Sequence, residues 1–181
     1  MRMPLAIIAC LAIGCAGRQP NAPPSEFKAS DAALFDDAVD LVESPAVVDD
    51  AWATFARRVE RADLIAVIRV ESLSSDLVRR RSAYRLAVRI EERLKGGHVG
   101  DLILRVEDQQ PGYRTVQANE ERLLRDPFIA FVKWETDTGS SEAPIGHWHL
   151  SPASQEARQQ VERLLREPVR NGPSQGSTGE R

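Results

Sequence analysis

Residues 64–73 (LIAVIRVESL), 83–94 (AYRLAVRIEERL) and 101–107 (DLILRVE) decide the fold. The first stretch is apolar at every position up to Ile68 and turns half-polar at Arg69 and Glu71, as expected of a strand that starts inside a core and runs out of it. In the second, Tyr84, Leu86, Val88 and Ile90 alternate with Arg85, Ala87, Arg89 and Glu91, which predicts one buried and one wet face. Ser74–Asp76 and Arg79–Ser82 make a polar connection between the two, so they should pair as a hairpin. Gly96-Gly97 ends the second strand. The third places Leu102, Leu104 and Val106 on its inner side.

Outward from this core the periodicity becomes helical. Val48, Trp52, Phe55, Val59 and Ala62 are spaced alternately four and three apart, which predicts an amphipathic helix, with Asp49-Asp50 at its start and Arg57, Arg58 and Arg61 near its end. Upstream, Ser30 caps an expected acidic helix over residues 31–47 carrying Leu34, Phe35, Ala38, Leu41 and Val42 and ended by Pro45. Downstream come a loop through Pro111-Gly112 and a short helix capped by Asn119 with Leu123 and Leu124. A central strand follows at Phe128–Trp134 and a last strand at His147–Leu150. A final helix from about Pro152 to Arg166 presents Ala157, Val161, Leu164 and Leu165 to the domain.

Three strands, a short helix and two more strands is the element order of an OB-fold, so the expected fold is mainly β with flanking helices, a five-stranded OB-like barrel over residues 48–167. The runs ADLIAVIRVESL, YRLAVRIEERLKGG and DLILRV also resemble the netrin-like or TIMP-like branch of such barrels, a resemblance that covers about residues 62–134. Absent are the cysteines that staple the animal members. The alternation also permits an open antiparallel sheet with helices on one face.

The amino terminus has its own grammar. Met1-Arg2, the apolar run Leu5–Ile13 and Leu11-Ala12-Ile13-Gly14-Cys15 resemble the signal peptide and lipobox of bacterial lipoproteins. The resemblance implies cleavage after residue 14 and lipidation of Cys15; Cys10 leaves too short an apolar run before the cut. Each buried methylene contributes about 0.8 kcal/mol, and two or more acyl chains give stable attachment. Residues 15–30, rich in Pro, Ala and polar residues, then read as a flexible tether, and residues 168–181 as a disordered tail. Ala16 after the cysteine points to the outer membrane. Removal of residues 1–14 leaves one cysteine, so the fold must be held by its core without a disulfide.

Two constellations could carry function. Arg79, Arg80, Arg81, Arg85 and Arg89 make one edge of the predicted hairpin basic, while residues 31–50 hold seven acidic side chains and no basic one. A basic edge suits an anionic polymer, a lipid headgroup or an acidic envelope protein; the competing reading is a solvated face or an internal match with the acidic segment. His147 and His149, two apart on a strand, project to one side and could share a zinc ion, as in a zinc-binding protein or zinc-dependent hydrolase. A third ligand is needed, and His98, Asp137 and Glu142 are candidates by type only. The competing reading, preferred here, puts Trp148 and Leu150 in the core and both histidines in solvent. No nucleophile–base signature, phosphate loop or CxxC is present, and an exported domain with few spare aromatics argues against nucleic acid. The expectation is therefore a lipid-anchored, non-catalytic binding or scaffolding module without cofactor, a purely structural envelope role being the further alternative.

Overall fold

The computed structural model describes residues 26–41, 49–78, 81–135 and 145–167. Within these, strands β1 (Ala38–Val39), β2 (Leu64–Val78), β3 (Arg81–Lys95), β4 (Leu102–Glu107), β5 (Pro127–Glu135) and β6 (Ile145–Pro152) are interleaved with helices α1 (Asp49–Arg61), α2 (Gly112–Ala118), α3 (Glu120–Arg125) and α4 (Gln155–Arg166). The expected five-stranded barrel is a curled, six-stranded half-barrel sheet in the order β1-β6-β5-β2-β3-β4. All pairings are antiparallel except β1 with β6. Register shifts between β2 and β3 at Ile65/Ala66, Val67/Ile68 and Val70/Ser72 are irregularities of the kind that bend and twist a ladder.

The apolar run of β2 finds its explanation in a sheet covered on both faces at its centre. Leu64, Ala66, Ile68 and Val70 point inward with Tyr84, Leu86, Val88, Leu104, Phe128, Val132 and Trp148, against Val116 of α2 and Leu123 of α3. Ile65, Ile129 and Phe131 point outward beneath Phe55 and Val59 of α1 and Ala157 and Val161 of α4. The Phe55 and Phe131 rings meet edge-on at 5.6 Å. The alternation in β3 holds: Leu86 and Val88 are buried while Arg85 and Arg89 are exposed. Ser154 caps α4 by accepting the Ala157 N–H at 3.2 Å, although Leu165, expected to face the domain, is exposed.

Two elements depart from expectation. The described part of the acidic segment 31–47 is no α-helix: a 3-10 turn at Ala29–Asp31 leads through Asp37, at φ 52°, into β1. Its apolar residues serve two layers, Leu34 and Phe35 joining the outer core and Val39 the inner one, which a single helical face could not do. The loop through Pro111 contains α2. Its first residue, Gly112, lies so close to the strap before β1 that a Cβ there would sit 1.9 Å from the Asp37 carbonyl oxygen. Gly112→Ala therefore forces backbone apart, and a melting temperature lowered by about 4–12 °C is expected for a loss of 1–3 kcal/mol in a domain of this size.

No ladder joins β4 to β6. A ring of hydrogen bonds seams them instead. Trp148 Nε1–H donates to Arg105 O on β4 at 2.9 Å, and the Trp148 backbone N–H donates to Asp37 Oδ1 at 3.0 Å. Gln110 donates to Asp37 Oδ2 and accepts the Glu107 N–H. Backbone groups at an open strand edge are thus occupied by side chains, which blunts the edge against unwanted pairing.

Candidate functional site: an arginine face and a histidine clasp

Residues four apart on a strand share a face, so Arg81, Arg85 and Arg89 form a row along β3 with steps of about 13 Å. The ladders add two more arginines. Arg105 of β4 lies directly across from Arg85, and Arg69 of β2 directly across from Arg89. Like charges facing each other across strands are destabilising by themselves. Acidic neighbours on the same strands compensate: Arg85–Asp76 at 3.3 Å, Arg89–Glu71 at 3.4 Å, Arg69–Glu91 at 3.0 Å, Arg105–Glu107 at 3.0 Å and Arg81–Glu107 at 3.7 Å. Arg81, Arg85 and Arg89 keep half or more of their side-chain surface in solvent. Exposed pairs of this kind contribute at most about 1 kcal/mol each and leave most guanidinium donors open.

This face is uncovered because α1 and α4 pack over Ile65, Ile129 and Phe131, at the other half of the sheet. Ile103, across from Ala87, is half exposed between the arginines. The acidic segment does not match the row: Asp31 pairs with Arg61, and Asp36, Asp37 and Asp40 turn to the histidines. Arg79 and Arg80 lie outside the described residues, as does Cys15. Sequence reasoning missed Arg69 and Arg105, although each sits at an outward position of the alternation that located their partners.

The histidines are not both in solvent. His147 is partly buried and His149 nearly fully so. His149 Nδ1 meets Asp36 Oδ1 at 3.0 Å, and its Nε2 meets Asp40 Oδ2 at 2.8 Å. Arg58 stands behind them, its Nε–H donating to Leu34 O at 2.8 Å; burial lowers its pKa, with Asp40 and Asp36 opposing. His147 Nε2 lies 3.1 Å from Glu135 Oε2 and its Nδ1 3.6 Å from Asp37 Oδ2, while the Phe27 ring stacks on the imidazole at 4.6 Å. Burial pushes the Asp37 carboxyl up, against the pull of His147 and the Trp148 N–H. The Asp37 carboxylate in turn raises His147, burial opposing and Glu135 adding.

These interactions tie residues 27–40 to β6. They do not form a metal centre: the close N···O approaches at His149 are direct hydrogen bonds, too short to bracket a zinc ion whose bonds are each about 2 Å at tetrahedral angles. The two rings share no carboxylate. His98 lies against Arg93, at 3.1 Å, and Asp137 and Glu142 are outside the described residues. Among the described residues no group of His, Cys, Asp and Glu is arranged to hold a metal ion. Ser151, two residues on from His149, is not bonded to it: its Oγ donates to Asp40 Oδ2 at 3.4 Å.

Comparison with known proteins gives no relative. No family model, curated protein or solved structure matches the chain. Among the described residues no helix is long and apolar enough to cross a membrane.

Proposed function

We propose that this chain is a lipid-anchored envelope protein whose domain is a non-catalytic binding module for an anionic polymer. The observation that carries the reading is the arginine row: Arg81, Arg85 and Arg89 at even spacing on an uncovered sheet face, with Arg105 and Arg69 directly opposite two of them. Regular cationic positions fit a chain with repeated charge better than a single small anion, and the uncovered face leaves room for it. The lipobox-like run ending at Cys15 and the tether-like composition of residues 16–30 support a place in the envelope, at the periplasmic face of the outer membrane, as part of the same proposal. We further read the sheet as an opened OB-like, netrin-like barrel. Its meander β2-β3-β4, the helices that follow it and the β5-β6 hairpin keep that element order, and the side-chain seam stands where a closing ladder would run.

The test has two arms. Mass spectrometry of the mature protein should find acylated Cys15 at the N-terminus, and Cys15→Ser should abolish the modification while Cys10→Ser leaves it; a mature chain beginning elsewhere contradicts the anchor. Crosslinking in intact cells should capture anionic envelope polymer with the wild type. It should lose most of it with Arg81, Arg85 and Arg89 all changed to Ser. Equal capture by both contradicts the binding face.

A further inference from the structure

The seam and the clasp meet at one residue. Asp37 holds the Trp148 N–H through one oxygen, and through the other meets Gln110 and His147. It does so from a left-handed backbone conformation at the entry to β1, a strand of two residues. The β1 ladder itself is slight: Ala38 and Val39 face His149 and Leu150, with the Asp37 N–H on Trp148 O and the Asp40 N–H on Leu150 O, both at 2.8 Å. On either side the chain is fastened by other means. Asp31 accepts two hydrogen bonds from Arg61, Leu34 and Phe35 are buried in the outer core, and Arg122 donates to Leu41 O at 2.6 Å.

We infer that residues 36–40 form a pH-gated latch on the edge of β6, closed while His147 is protonated against Asp37 and loosened when it is not. Opening would pivot between the Asp31–Arg61 and Leu41–Arg122 fastenings, free the outer edge of β6 and withdraw Asp37 from the seam, leaving the Trp148–Arg105 bond in place. The edge so exposed is an unpaired strand, a surface suited to strand addition. This goes beyond the binding reading and is independent of it.

The charges around His147 make the direction definite. Glu135 and Lys133 face it from β5, Lys133 directly across in register and tied to Asp63 at 2.8 Å; Asp37 faces it from the latch. Beyond Asp37 lies Gln110, neutral, and around His149 lie Asp36, Asp40 and Arg58. His147 is raised above its ordinary 6.5, so its contribution is complete below that value and is lost as pH rises through the raised one. Asp37 is raised above 3.8, so the cost of burying its charge also grows as pH rises. Asp40 behaves oppositely. Burial would raise it, but the His149 hydrogen bond and charge bring it below 3.8, so its contribution fails only at strongly acidic pH. The latch is therefore tightest between the carboxylate range and about pH 6.5.

Amide hydrogen exchange of the full chain at pH 5.5, 6.5, 7.5 and 8.5, corrected for intrinsic rates, tests this. The Asp37 and Asp40 amides should lose about fivefold to tenfold in protection across the series, the scale of losing one partly buried ion pair, while the Ala130 amide in the centre of β5 should not change. His147→Gln, at a partly buried position, should show the open-latch exchange at every pH. Latch amides that follow Ala130, or a His147→Gln protein that keeps the wild-type pH dependence, overturn the latch. Should that variant fail to fold, Glu135→Gln supplies the same readout: the loss of protection should shift to lower pH, and an unmoved profile overturns it.

Discussion

Asp63→Ala should be among the most damaging single substitutions in the protein, lowering stability by about 3–5 kcal/mol. Lys133 is completely buried on the outer face of β5, and both oxygens of Asp63 accept from its Nζ, at 2.9 and 2.8 Å. Asp63 Oδ2 also accepts the Trp134 N–H at 3.0 Å. Removing the carboxylate leaves an ammonium in a low-dielectric layer without its main counter-charge, the case in which a buried pair matters most. The melting temperature should fall by about 12 °C or more. Adding Lys133→Met should restore much of the loss, because an apolar side chain of similar length needs no partner there. A double variant no better than Asp63→Ala would mean that the carboxylate acts mainly through the Trp134 amide.

Trp148→Ala should cost a comparable amount, about 3–5 kcal/mol, for a different reason. The indole is fully buried in the inner core, and its Nε1–H is the link from β6 to Arg105 on β4. Truncation leaves a large cavity and opens the seam together. Trp148→Phe separates the two effects: it refills most of the volume without the donor, and should lose about 1–2 kcal/mol. Chemical unfolding of the three proteins checks the order. Equal stability of Trp148→Phe and the wild type would show that the seam bond contributes nothing.

The contrast between these residues explains what was legible in the sequence. Strand periodicity located β2, β3, β4, β5 and β6, and gave the inward side of β3, β4 and β6, because burial of alternate side chains is a local pattern; the continuous apolar runs of β2 and β5 carry no such signal. Val48–Ala62 likewise gave α1. The sites that fix the seam and the clasp are non-local: Asp37 and Trp148 are 111 residues apart, and His149 and Asp40 are 109 apart. No spacing rule joins them. The segment after Ser30 misled for a related reason, since Leu34, Phe35, Ala38 and Leu41 have helical spacing yet divide between two layers. His149 illustrates the same limit. Alternation correctly puts it on the side of β6 opposite to Trp148, but that side is covered by a chain segment whose pairing with β6 cannot be inferred from either stretch alone.

The arginine face, by contrast, follows from alternation plus register, and its chemistry is open to direct measurement. Surface pairs worth little can be removed with little effect on folding, so a variant with Arg81, Arg85 and Arg89 changed to Ser should melt within a few degrees of the wild type. That makes salt-dependent binding the decisive test. With dextran sulfate as the probe, the wild-type domain should bind with an affinity that falls linearly with salt on logarithmic axes. The triple variant should bind more weakly with a slope smaller by about 2–3, roughly one unit for each guanidinium removed from the row. A triple variant with the wild-type slope and affinity would show that the row takes no part in binding, and the proposed function would fall with it.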